Sequence, residues 1–211
     1  ATSTSRYWVN SATDWIELGS PIPRSTPRTY VPIVWPEGRV VSDARPGPTV
    51  PADSVADTLA RRRSCRTFSP ARPTSLSDAI CEVLWLAYRT LEIGDDTLGF
   101  QLTRRPAPSA GAIHPLHIVA AVPGSGGWCR FDSSKGHLVE LPTVLPEAEV
   151  RVALDDVVPA TNAAILLFAA EAAMTAAKYE NGSSLVWRDA GVLQGTISLA
   201  AEAMGLGFTL L

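Results

Sequence analysis

Arg61-Arg62-Arg63-Ser64-Cys65-Arg66-Thr67-Phe68 sets the terms for reading this chain. Four arginines and two hydroxyls fall within seven residues, although the formal net charge of all 211 residues is −3. Guanidinium forks match phosphate oxygens bidentately, so a local arginine cluster in an acidic chain is a candidate anion clamp. The same composition suits a solvated basic helix end. What flanks the cluster has to separate the two.

Upstream, Ser54 is a predicted N-cap, with Val55 and Leu59 on one face of a short helix that ends in the arginines. Before it, residues 1–53 hold eight of the 17 prolines. Proline fixes φ and removes a donor, so this segment reads as an extended arm. Its Trp8, Trp15, Ile16, Tyr30, Val31, Ile33, Val34 and Trp35 are more apolar than a linker needs. The arm is therefore expected to lie along its own domain or a partner subunit. The expected organisation is an arm over residues 1–53 and one domain over residues 54–211.

Downstream, Pro70 and Pro73 break the chain, and Leu76, Ile80, Val83, Leu84 and Ala87 predict a helix over 77–88. Residues 91–106 read as loop. Pro108-Ser109-Ala110-Gly111-Ala112-Ile113-His114-Pro115 is a small-residue turn, and residues 117–122 a strand. Residues 128–132 and 137–141 read as a strand pair, and 146–154 as a helix opened by proline. The uniformly apolar 163–170 is expected to be a buried central strand, with a buried helix as the rival. Ala190, Leu193, Ile197, Ala200, Ala201 and Met204 predict a last helix over 188–204, stopped by Gly205. There Asp189 reads as an ordinary dipole partner at the helix start. Strands and helices mix without a βαβ repeat, so the fold class is α+β.

The totals agree with a globular domain: 46% apolar and 18% charged residues. An acidic pI near 5.6 argues against a nucleic-acid or anionic-membrane binder. Three scattered cysteines and three histidines offer no zinc spacing, so no metal site is expected, and a cytoplasmic setting is the simpler inference. No run reaches about 18 apolar residues, so no membrane span is expected.

RRRSCRTF before a proline break, PSAGAIHPLHIVAAV entering a strand, and RDAGVLQGTISLAAEAMGLG near the end together resemble the nitroreductase-like flavoenzymes. Within them the chain is most similar to the SagB-type (McbC-like) dehydrogenases. The resemblance implies a mostly antiparallel central sheet flanked by helices, an intertwined homodimer, and FMN bound where the subunits meet. By position, Arg62, Arg63, Ser64 and Arg66 would meet the FMN phosphate, ribitol and pyrimidine edge. Pro108, Ser109, Ala110 and Gly111 would bring backbone against the ring, and Leu210 and Leu211 belong to the segment near N5. Relatives commonly continue with a glycine and a further segment carrying a basic residue to the phosphate; this sequence stops at Leu211. His114 matches a polar position, as a loop histidine or as a flavin or substrate contact. Cys65 receives no catalytic role.

SagB-type relatives oxidise azoline rings in ribosomal peptides, with a Lys-Tyr pair handling the proton. Lys178 and Tyr179 stand at a fitting place and are the expected catalytic residues, since a desolvated lysine can accept a proton and a tyrosine can relay it. The expected substrate is a small molecule or peptide, free or carrier-bound, in natural-product biosynthesis. A nicotinamide-dependent reductase of nitro, quinone or enone compounds and a non-catalytic flavin-holding scaffold are the alternatives.

Overall fold

The computed structural model describes residues 20–45, 47, 54–69, 75–123, 126–142, 146–160 and 162–211. Trp8, Trp15, Ile16, Pro70 and Pro73 lie outside them. Among the described residues, five helices surround a five-stranded sheet. The helices are α1 (Val55–Arg61), α2 (Leu76–Tyr88), α3 (Glu147–Asp155), α4 (Ala172–Lys178) and α5 (Ser183–Ala203). The sheet runs β2 (Val40–Asp43), β7 (His137–Glu140), β6 (Trp128–Asp132), β5 (Leu116–Ala121), β8 (Ile165–Ala170), and each neighbouring pair is antiparallel. Two-stranded pieces pair β1 (Ile22–Pro23) with β9 (Tyr179–Glu180), and β3 (Glu92–Ile93) with β4 (Thr103–Arg104). The segment 91–106 therefore contains a small hairpin where the sequence suggested loop.

The helix ends follow their capping chemistry. Ser54 accepts from Asp57 N–H while the Asp57 carboxylate takes Ser54 N–H, a reciprocal box that opens α1. At the far end of α5, Gly205 is left-handed (φ 66°), and Leu206 N–H reaches back to Ala201 O at 2.8 Å. That closure is why the helix stops where the sequence predicts.

The core sits between the sheet and the α2/α5 layer: Val83, Leu84 and Ala87 meet Leu193, Ile197 and Ala201 over Ile118, Ala120 and Leu138. Behind the sheet, Ala121, Trp128 and Ile165 are covered by Val150 and Leu154 of α3. Strand β8 is not central. It is an edge strand with β5 as its one paired neighbour among the described residues. Nor is it fully buried: Leu166 and Phe168 pack half-buried on one core and Leu167 on the other, while Ala169 and Ala170 are exposed. Helix α5 also starts five residues earlier than expected, and α4 is an element the sequence reading missed.

Residues 20–45, the described part of the arm, lie against the rest of the same chain. Tyr30 N–H donates to Leu98 O at 2.8 Å, Ile33 N–H to Glu171 Oε1 at 2.7 Å, and Trp35 packs edge-on against His117 at 5.0 Å. Residues 40–43 then enter the sheet as its other edge strand.

Candidate active site

The structure gathers the predicted site residues into two groups. In the first, the arginine segment leaves α1 in extended form and lies beside the chain's end. Arg62 caps α1, its N–H donating to Thr58 O at 2.9 Å. Ser64 bridges Phe208 in parallel, and Cys65 N–H donates to Phe208 O at 2.9 Å. Gly207 makes this possible, since a Cβ there would stand 2.7 Å from Cys65 Sγ. Cys65 is thus a packing residue against a glycine, with its thiol turned to Thr67 O. Arg62, Arg63, Ser64, Arg66, Leu210 and Leu211 are all exposed. Arg61 reaches Glu202 of α5 at 3.5 Å. Among the described residues, Arg62, Arg63 and Arg66 form no ion pair, so this coil carries three exposed guanidiniums without a carboxylate partner.

The second group is the turn from Pro108 to Gly111. Ser109 Oγ–H donates to Asp189 Oδ2 of α5, and Ala110 N–H donates to Asp189 Oδ1 at 3.1 Å. His114 N–H donates in turn to Ser109 Oγ at 2.9 Å. Asp189 is buried seven residues into α5, so it is no dipole partner at a helix start; it clamps the turn. The turn needs such a clamp because Gly111, Ala112 and His114 are all left-handed, with φ of 65°, 60° and 52°. His114 is buried, and its Nε2–H donates to Thr103 O at 2.9 Å. Burial, and then the neighbouring Arg105 guanidinium, push its pKa down to about 3, so it is neutral and structural. Arg105 itself stacks on Tyr88 at 4.4 Å, and Tyr88 Oη–H donates to Leu116 O at 2.7 Å.

Lys178 and Tyr179 sit on this turn. Lys178 Nζ lies 3.4 Å from Gly111 O. A Cβ on Gly111 would stand 2.8 Å from Tyr179 Oη and 2.9 Å from Lys178 Nζ. Gly111 is therefore required twice, for its left-handed φ and for the approach of these two side chains.

The two groups do not meet within one chain. Helix α5 measures their separation: Asp189 holds the turn, and Glu202, thirteen positions on, touches the arginine segment. At 1.5 Å per residue those positions are about 20 Å apart along the axis. Asp189 is the candidate-site residue the sequence reading took for an ordinary helix-start partner. Its only signal was a carboxylate on the apolar side of an otherwise small-residue helix.

Comparison with known proteins agrees with this architecture. The family model of the Nitroreductase family matches residues 59–211. A crystal structure of a candidate nitroreductase from Ralstonia eutropha superposes with a TM-score of 0.54 at 23% identity, covering 89% of this chain and 81% of that one. The Escherichia coli microcin synthetase McbBCD complex, with truncated pro-MccB17 bound, superposes with a TM-score of 0.55 at 16% identity, covering 97% and 82%. At such identities the two structures show a shared fold. None of the curated proteins searched gives a significant match. With the family model spanning most of its length, the chain belongs to the nitroreductase family.

Proposed function

We propose that the chain is an FMN-dependent oxidoreductase of the SagB-type dehydrogenase group, acting on a thiazoline- or oxazoline-like ring of a peptide or carrier-bound intermediate. The observation that carries this reading is the seating of Lys178 and Tyr179 on the Gly111 turn, because it joins a proton-handling pair to the backbone expected beside the flavin ring.

The residues present suit FMN. Its phosphate is a dianion, and Arg62, Arg63 and Arg66 are exposed together without a carboxylate partner among the described residues. Its flat ring requires small residues, and the Ser109–Ala110–Gly111 backbone supplies them. Because about 20 Å of α5 separates clamp from turn, one site built from both takes the arginines of one subunit and the turn of a second copy. The homodimer expected from the family resemblance is part of this proposal, and the separation supports it.

Bound FMN would supply the two-electron acceptor. Azoline oxidation removes a hydride equivalent and a proton from the adjoining ring carbon. Lys178 Nζ is the proton acceptor, and Tyr179 Oη orients it or passes the proton to solvent. Asp189 keeps the turn, and hence the pair resting on it, in place. The test is incubation of FMN-loaded protein with an azoline-bearing peptide under oxygen. Loss of two hydrogens by mass spectrometry is expected, and Lys178→Ala should slow it by about 10²–10⁴-fold. Rapid bleaching of the flavin by NADPH without azoline oxidation would instead identify a nitro, quinone or enone reductase.

A further inference from the structure

We infer that the N-terminal arm positions the Lys178–Tyr179 pair, gripping α4 at both ends through Arg24 and Glu171. In its catalytic consequence this rests on the function proposed above; in its mechanics it does not. Helix α4 has seven residues, too few to hold its own shape. The last carbonyls of any helix lack intrahelical donors. Here the arm supplies them. Arg24 Nε–H donates to Ala176 O at 2.8 Å, Arg28 N–H to Ala177 O at 2.8 Å, and Arg24 N–H to Lys178 O at 2.9 Å. The Arg24 guanidinium also pairs with Glu180 at 3.1 Å. Strand β1 continues the grip by pairing Pro23 with Tyr179 and Ile22 with Glu180.

At the other end, the buried Glu171 carboxylate accepts Ile33 N–H from the arm and faces His117 Nε2, both at 2.7 Å. Glu171 N–H donates to Pro115 O at 2.8 Å, tying the helix start to the strand that follows the turn. A short helix fixed at both ends cannot slide or rotate, so Lys178 and Tyr179 leave it at a set height over Gly111. The arm's prolines fit this task. Pro21, Pro23 and Pro27 bracket Arg24 and restrict the free arm before it docks.

The chain has two lysines, Lys178 and the exposed Lys135 of the β6–β7 turn, which makes a labelling test direct. Full-length protein is pulsed with an N-hydroxysuccinimidyl acetate, and both sites are read by peptide mass spectrometry. Arg24→Ala should raise the acetylation rate of Lys178 relative to Lys135 by roughly fivefold, through local opening of α4. Arg24→Lys, which keeps a charge for Glu180 but cannot fork to Ala176 O, should fall between. An unchanged ratio, or both lysines rising together, overturns the inference. With FMN and an azoline peptide, Arg24→Ala should lower kcat about tenfold with KM within about twofold, and should add nothing in a Lys178→Ala background. Equal effects in both backgrounds would show that the arm acts on general stability and overturn the positioning role. Wild-type protein that oxidises no azoline would count against the proposed function, while the labelling ratio still decides the clamp.

Discussion

Asp189→Ala should loosen the Ser109–Gly111 turn and with it the whole candidate site. The carboxylate accepts from Ser109 Oγ–H and Ala110 N–H inside a buried environment. Hydrogen bonds to a charged group contribute about 1.5 kcal/mol or more each, so losing both costs roughly 3 kcal/mol. In a chain of this size 1 kcal/mol moves Tm by about 2–4 °C, which predicts a fall of roughly 6–12 °C. Asp189→Asn keeps one acceptor and should fall about half as far. Circular-dichroism melting measures the shift, and flavin content after gel filtration measures the site. Because Ser109 and Asp189 share one bond, Ser109→Ala should cost less in an Asp189→Ala background than alone. Asp189→Ala protein that melts within about 2 °C of wild type would refute the claim that this carboxylate holds the turn.

Replacing Arg62 by Ala should weaken FMN retention by about tenfold or more, with Lys a partial substitute because it lacks the planar fork; equilibrium dialysis against FMN measures it. Gly111→Ala should cost about 1–2 kcal/mol from its left-handed φ. It should reduce azoline turnover further than that loss explains, because the added Cβ displaces the ends of Lys178 and Tyr179; melting and steady-state kinetics separate the two effects. Acid should destabilise the fold through His114, whose folded pKa near 3 lies below the unfolded value of 6.5. The unfolded chain binds the proton first, so stability is full above pH 6.5 and falls toward pH 3, by at most about 5 kcal/mol. Urea midpoints at pH 7 and pH 4 should converge in His114→Gln if this histidine carries the effect.

Most of the scaffold could be read from the sequence because its signals are local. Ser54 as a cap, Gly205 as a stop and the spacing of Leu193, Ile197 and Ala201 each depend on a few neighbouring residues. What escaped depends on long-range placement. The apolar run of β8 looks the same whether its strand is central or lies at an edge with both faces partly covered. Helix α4 carries no apolar stripe long enough to announce itself, and its ends are closed by residues about 140 to 150 positions away. Asp189 was legible as a helix residue and not as a clamp, since its partners sit 79 and 80 positions earlier. The candidate site divides in the same way. The arginine segment and the small-residue turn were visible as motifs, whereas the seating of Lys178 and Tyr179 on Gly111 required the fold.

In the proposed function, this nitroreductase-family chain holds FMN between an arginine clamp and a small-residue turn. Its most direct test is the visible absorption spectrum of the purified protein after incubation with FMN and removal of free flavin. Flavin bands that persist through gel filtration and diminish in Arg62→Ala protein are expected. A colourless wild-type protein after the same treatment would contradict the proposal.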